Sequence, residues 1–157
     1  MTARLKTPTS PPPHTTHNAP LQELGPIRLF VACDAPDGDP VLNQRHIGSF
    51  AQVMLRIAHI PLVTTASNPN SPRLQITIRS LISADLYSVY ITLELLDRVW
   101  LVRPSNEDAF DAATWRAFTG FMSSTAELRS NLRDHLGKLL ASFMNEYLAA
   151  NNGTESI

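Results

Sequence analysis

Three stretches decide the fold of this chain: RLQITIR at residues 73–79, LYSVYITLELLDRVWLVR at 86–103 and AFDAATWRAFTGF at 109–121. They are rich in β-branched and aromatic residues, which favour strands. In the first stretch the apolar residues occupy the even positions, a period of two that indicates one buried face. Asp97 interrupts the alternation of the second stretch, so we predict a β-bulge near residues 96–98. The last two strands are predicted to form a hairpin.

A long amphipathic helix is predicted after the third strand. Ser124-Thr125-Ala126-Glu127 fits a capping box, in which the serine hydroxyl and the glutamate carboxylate each accept from a backbone N–H group. Leucine and aromatic residues then recur at spacings of mainly three and four between Leu128 and Leu148. Asn151-Asn152-Gly153 predicts the end of the helix, because asparagine and glycine tolerate the left-handed conformation. One face of this helix is expected to pack on the sheet.

The residues before these strands predict a β-α-β unit. A strand is expected at residues 27–32, IRLFVA, and Asp39 followed by Pro40 indicates an N-cap and the first residue of a helix over 40–59. A short strand over 60–64 would then lie parallel to the first through a right-handed crossover. The predicted class is α+β, a β-α-β-β-β-α two-layer sandwich with a mostly antiparallel sheet and two helices on one face.

Length and composition predict one domain with short tails. The chain has 157 residues, of which 1–25 are Pro-rich and polar and are predicted to be a disordered tail. The domain is expected over 26–152, followed by a disordered C-terminus over 153–157. A formal net charge of -1 offers no electrostatic footprint for nucleic acid or an anionic membrane. Neither a transmembrane segment nor the apolar stretch of a secretory signal is visible, so these residues alone predict a cytoplasmic location.

No catalytic motif is recognisable, and we predict no catalytic residues, no cofactor and no metal ligands. Cys33 is the only cysteine, which excludes an intrachain disulfide, and no base positioned to activate it is apparent. The glycines are scattered and form no phosphate cradle. Asp34, Asp37 and Asp39 flank Gly38, and carboxylates on such a loop can gather a hard cation. A small hydrolase or metal-binding protein using the loop from Asp34 to Asp39 is therefore the alternative function.

The sheet face away from the helices is the candidate partner-binding surface. If the hairpin turns near Asn106, positions of equal parity lie opposite each other, which places Ala113 and Trp115 under the helices. The other face would be too apolar for water. Three explanations stay open. The bulge reverses the parity, or the tail or a loop covers the face; the face binds a protein partner or a second copy; or it forms a small-molecule groove. The predicted partner-binding residues are Tyr90, Trp100, Val102, Phe110, Arg116 and Phe118.

Several stretches resemble a family of small, uncharacterised bacterial exported proteins. They are LYSVYITLE at 86–94, VWLVR at 99–103, ATW at 113–115 and FMNEYLAAN at 143–151. Members of that family are distantly similar in layout to the amino-terminal domain of the Tol translocation protein and to lipoprotein activators of penicillin-binding proteins. The resemblance implies a periplasmic or envelope location and a binding role, and it supplies no catalytic residues. The predicted function is a non-enzymatic, envelope-associated protein-binding module.

Overall fold

The computed structural model shows five strands and two helices. It describes residues 21–35, 39–64, 68, 70–102 and 107–151, with the side chains of 100–102 and 107–109 outside the description. The elements in chain order are β1 (Ile27–Asp34), α1 (Gln44–Ile57), β2 (Leu62–Val63), β3 (Arg73–Ser83), β4 (Leu86–Val102), β5 (Glu107–Ser124) and α2 (Leu128–Asn151).

The strands form one mixed sheet in the order β2-β1-β3-β4-β5. β1 lies parallel to both β2 and β3, whereas β4 is antiparallel to β3 and to β5. Both helices pack on the same face of this sheet, which confirms the predicted α+β two-layer class and the β-α-β unit. β2 and β5 are the two edges of the sheet.

The core lies between the sheet and the helices, and it follows the predicted alternation. Leu74, Ile76 and Ile78 of β3 are fully buried, as are the alternate residues Ile91, Leu93 and Leu95 of β4. Helix α2 contributes seven further buried apolar side chains between Leu128 and Tyr147: Leu128, Leu132, Leu136, Leu139, Leu140, Phe143 and Tyr147. The leucine stripe of this helix therefore packs on the sheet, as the spacing predicted.

A β-bulge interrupts the β4–β5 hairpin one residue before the predicted region. Leu95 pairs with Trp115, but Leu96 pairs with Ala113, so Thr114 is an extra residue on β5. The Thr114 hydroxyl donates to the Leu95 carbonyl oxygen at 3.3 Å. Because the register shifts by one, Ala113 lies opposite Leu96 and not under the helices. The prediction for Ala113 was wrong, whereas Trp115 keeps its place on the helix side.

Helix α1 begins four residues later than predicted. Its N-cap is Asn43, whose side-chain oxygen accepts from the backbone N–H of Arg45 at 2.9 Å. The Asp39 carboxylate caps a separate turn, where it accepts from the N–H groups of Val41 and Leu42 at 2.8 Å each. This turn directs Leu42 into the core, where it is 4% exposed. Asp39 and Asn43 therefore cap two successive turns. The predicted N-cap, Asp39, caps the turn before α1 and not the helix itself.

The predicted capping box at the start of α2 is also wrong. Ser124 is the last residue of β5 and pairs with Leu86. Its hydroxyl donates to the Glu127 carboxylate at 3.4 Å, and no backbone N–H donates to it among the described residues. The helix begins at Leu128, and the Glu127 carbonyl accepts from the Asn131 N–H at 3.0 Å. Because Ser124 pairs with β4, it stays in the sheet, and the helix starts later, at Leu128.

Ordered structure begins before the predicted domain boundary. Leu21 is 1% exposed and belongs to the core, although the sequence placed it in the tail. The Asn151 side chain holds this segment, since its amide donates to the Leu21 carbonyl at 2.8 Å and its oxygen accepts from the Glu23 N–H at 3.1 Å. The folded domain therefore includes residues 21–25. The rest of the predicted tail and the C-terminus from 153 lie outside the described residues.

We expect Asn151→Ala to lower the free energy of unfolding by about 1–3 kcal/mol, because it removes two hydrogen bonds, one to the part-buried Leu21 carbonyl and one from the Glu23 N–H. Urea unfolding measures this loss. Asn145→Ala is the matched control, since Asn145 is exposed on the same helix and should change stability by less than about 0.5 kcal/mol. Equal stabilities for the two variants would show that Asn151 does not hold the amino-terminal segment.

Candidate partner-binding face

One face of the sheet carries no helix, and we call it the open face. Cross-strand pairing arranges its residues in rows that run across β1, β3, β4 and β5. Going from the N-terminal end of β3 toward its C-terminal end, the rows are Arg28-Arg73-Leu96-Ala113, Phe30-Gln75-Glu94-Arg116, Ala32-Thr77-Thr92-Phe118, Asp34-Arg79-Tyr90-Gly120 and Leu81-Ser88-Met122. In the described part of the chain, no other element packs over this face.

One end of the open face is apolar, and we call it the apolar patch. It consists of Leu81 at 78% exposure, Leu86 at 42%, Tyr90 at 45%, Phe118 at 64% and Met122 at 66%. The rings of Tyr90 and Phe118 lie 5.9 Å apart between centroids. Gly120 lies beside Tyr90, and a Cβ there would be 3.5 Å from the tyrosine ring. The tyrosine therefore covers backbone that glycine leaves bare. The five patch residues occupy neighbouring positions of β3, β4 and β5.

Three of the six predicted partner-binding residues lie together on the open face. Tyr90 and Phe118 belong to the apolar patch, and Arg116 borders it, with its Nε donating to the Glu94 carboxylate at 2.6 Å. Phe110 is 44% exposed but pairs with Val99, beyond the bulge and outside these rows. Trp100 and Val102 are β4 residues whose side chains lie outside the description.

Sequence reasoning missed Leu81, Leu86 and Met122. β3 extends to Ser83 and β5 to Ser124, whereas the predicted strands ended at residues 79 and 121. Continuing the period of two beyond those ends would have added Leu81 to the face of Arg79 and Met122 to the face of Phe118. The signal was present in the alternation, but the strands were ended too early.

The open face is more basic than the chain as a whole. Its described residues include five arginines and three carboxylates, a formal charge of +2, while the whole chain carries -1. The arginines are Arg28, Arg73, Arg79, Arg98 and Arg116, and the carboxylates are Asp34, Glu94 and Asp111. Most of this positive charge lies at the end away from the apolar patch, so the face has an apolar end and a basic end.

In the acidic loop of the alternative function, the Asp39 carboxylate makes structural contacts. Besides its two backbone bonds, Asp39 accepts from the Tyr87 hydroxyl at 3.3 Å. Asp34 is exposed on the open face, and Asp37 lies outside the described residues. Within the described ranges, no three His, Cys, Asp or Glu side chains form a group that could hold a metal ion.

Cys33 is arranged as a structural thiol. Its Sγ donates to the Leu42 carbonyl oxygen at 3.3 Å, which ties β1 to the turn before α1. Burial raises the pKa of this thiol, and the nearby charges of Asp39 and Asp34 raise it further. A thiol with a raised pKa is protonated at neutral pH and is a poor nucleophile. The described residues around Cys33 therefore do not activate it for covalent catalysis.

Among solved structures, the fold is similar to that of PelC dodecamers from Paraburkholderia phytofirmans. A crystal in space group P6 gives a TM-score of 0.52 at 20% sequence identity, covering 80% of this chain and 91% of that chain. A point variant of PelC in space group C2 gives a TM-score of 0.51 at 20% identity, covering 79% and 91%. At this identity the similarity shows the fold alone.

Searches by sequence add no relative. No protein family matches this chain, and no curated protein matches it either. Over the residues that the structure describes, neither helix is both long and apolar enough to cross a membrane.

Proposed function

We propose that this chain is a non-enzymatic, envelope-associated protein-binding module whose partner is another copy of itself. The observation that carries the proposal is the apolar patch on a sheet face over which none of the described elements packs. Four of its five members, Leu81, Tyr90, Phe118 and Met122, are at least 45% exposed. A contiguous group of large apolar side chains on one face favours association, because burying them contributes on the order of 25 cal/mol per Å².

The free edge of the sheet adds a second means of association. β5 is an edge strand of 18 residues, and it carries Phe118 and Met122 of the apolar patch. A long edge strand presents backbone groups that a second strand can pair with. A copy that docks at this edge would meet both the backbone donors and the apolar patch. Contact at the edge would then be both hydrogen-bonded and apolar.

The comparison supports a second copy as the partner. The solved structures with this fold are described as dodecamers, so the scaffold is compatible with self-assembly. The envelope location rests on the resemblance of the strand and helix stretches to small bacterial exported proteins. The likeness in layout to the Tol domain and to the penicillin-binding-protein activators stays a prediction.

The alternative, a hydrolase or metal-binding protein, has less support. It depends on the loop from Asp34 to Asp39, where the Asp39 carboxylate already accepts three hydrogen bonds from Val41, Leu42 and Tyr87. A ligand there would have to displace contacts that shape the turn before α1.

Oxidation of Met122 by hydrogen peroxide tests the proposed interface. Met122 is 66% exposed in the single chain, whereas Met54 and Met144 are half-buried by contacts within the chain. We expect Met122 to be protected in the parent protein and to become the fastest-oxidised of the three in Phe118→Glu, while Met54 and Met144 keep their rates. Mass spectrometry of proteolytic peptides measures the oxidation rate of each methionine. Equal Met122 rates in the parent and the variant would mean that no partner copy covers the patch.

A further inference from the structure

A cleft of about 450 Å³ opens at the basic end of the open face, where the starts of β1 and β3 lie beside the β4–β5 hairpin. We call it the arginine cleft. Three arginines line it together with one carboxylate: Arg28, Arg73, Arg98 and Asp111. Counting the described lining residues only, three guanidinium groups against one carboxylate give the cleft a formal charge of +2.

Two of these arginines are direct cross-strand neighbours. Arg28 of β1 pairs with Arg73 of β3 in the parallel register. Like charges directly opposite on neighbouring strands destabilise a sheet unless a counter-charge lies close. The carboxylate of Asp111 is 3.8 Å from the Arg73 guanidinium, beyond hydrogen-bond distance. The resident carboxylate therefore offsets only part of the repulsion.

Neutral groups contact all three arginine side chains through hydrogen bonds or a ring contact. The Nε of Arg28 donates to the Ser71 carbonyl at 2.9 Å, and an Arg98 terminal nitrogen donates to the Asn70 side-chain oxygen at 2.9 Å. The Arg73 guanidinium lies over the Phe30 ring at 5.6 Å, and its Nε is buried without a partner among the described residues. The carbonyl that holds Arg28 and the ring beneath Arg73 carry no charge, so these contacts orient the two guanidinium groups without neutralising them.

We propose that the arginine cleft binds the oxyanion group, phosphate or carboxylate, of a small organic anion. Guanidinium groups have planar, forked donors that match both groups, and their charge-assisted hydrogen bonds are among the strong ones. The volume falls within the range of small-molecule sites, roughly 300–1,000 Å³. The ligand is therefore larger than a bare ion. This site is separate from the apolar patch and does not depend on self-association.

Calorimetric titration of the full chain with inorganic phosphate and, separately, with glucuronate tests the proposal. We expect saturable binding of at least one probe, weakened by added salt because exposed charges are screened. If only phosphate saturates the site, the ligand is a phosphate ester. If only glucuronate does, the ligand is a carboxylate. If both do, the site accepts either oxyanion. If neither probe gives saturable binding, the proposal is overturned.

Charge variants separate a built site from general attraction to a basic surface. Arg28→Gln and Arg98→Gln should each weaken binding by about tenfold, since each removes a charged donor. Asp111→Asn should tighten it, because the competing carboxylate is gone. Arg79→Gln is the matched control, an exposed arginine on the same face but outside the cleft. Equal losses for Arg79→Gln and Arg28→Gln, or weaker binding by Asp111→Asn, would contradict the proposal. Phe118→Glu should bind the anion as the parent does.

Discussion

Replacing Phe118 with glutamate should abolish the proposed self-association while leaving each chain folded. Phe118 is 64% exposed on the edge strand β5 and lies in the apolar patch beside Tyr90. A carboxylate buried in the interface would lose its water without gaining a partner, and removing the ring subtracts apolar contact. We expect the dissociation constant to rise by at least about a hundredfold, or 2.7 kcal/mol. Sedimentation velocity over a concentration series measures it.

The matched control for this variant is Ile57→Glu. Ile57 is 70% exposed at the end of α1, on the opposite layer from the open face. The same change in charge and polarity there should leave association unchanged. Loss of the Tyr90–Phe118 ring contact should lower the stability of the folded chain by no more than about 1.5 kcal/mol. If Phe118→Glu associates as tightly as Ile57→Glu, the apolar patch is not the interface.

Phe143→Ala should give the largest loss of folding stability, about 3–5 kcal/mol. Phe143 of α2 is 0% exposed, and its ring meets that of Trp115 edge to face at 5.1 Å between centroids. Trp115 in turn donates its indole N–H to the Glu146 carboxylate at 2.7 Å. Truncation would leave a cavity between α2 and the sheet and would release the tryptophan. Urea unfolding followed by circular dichroism gives the free energy.

Ile57→Ala is the reference for this measurement. Its side chain is large and apolar but exposed, so the same kind of truncation should change stability by less than about 0.5 kcal/mol. A loss below about 1 kcal/mol for Phe143→Ala would mean that α2 does not pack on the sheet through this residue. Such a result would contradict the two-layer arrangement itself.

The period of the apolar residues predicted most of the architecture. Alternation in β3 and β4 and the three-four spacing of α2 are local consequences of burying one face, so Leu74, Ile91 and Leu136 are buried as expected. The break at Asp97 correctly indicated a bulge in the hairpin. The extra residue of the bulge is Thr114 of β5, not a residue of β4. The sequence of β4 alone does not determine which strand of the pair carries the extra residue.

Helix starts were harder to predict because a local capping signal does not by itself decide where a helix begins. Asp39 and Asn43 both accept backbone N–H groups, and only the second begins α1. Ser124 has the sequence of an N-cap but pairs with Leu86 in the sheet. In both places a long-range contact decides where the helix begins. The burial of Leu42 places the start of α1, and the length of the β4–β5 hairpin places the start of α2. Leu21 entered the core for the same kind of reason, through contacts with distant Asn151.

The candidate surfaces depend on register, which a single sequence does not specify. Tyr90 and Phe118 were predicted together because hairpin pairing follows from the turn, whereas Leu81 required the full length of β3. The arginine cleft could not be predicted at all. Arg28 and Arg73 are 45 positions apart, and they become neighbours only because β1 and β3 pair in parallel with this register.

The mass of the parent protein in solution tests self-association most directly. Light scattering coupled to size exclusion should give a multiple of the 17.4 kDa chain mass at micromolar concentrations and above, and the single-chain mass for Phe118→Glu under the same conditions. A parent protein that stays at 17.4 kDa throughout the micromolar and sub-millimolar range would contradict the proposal that the open face binds a second copy.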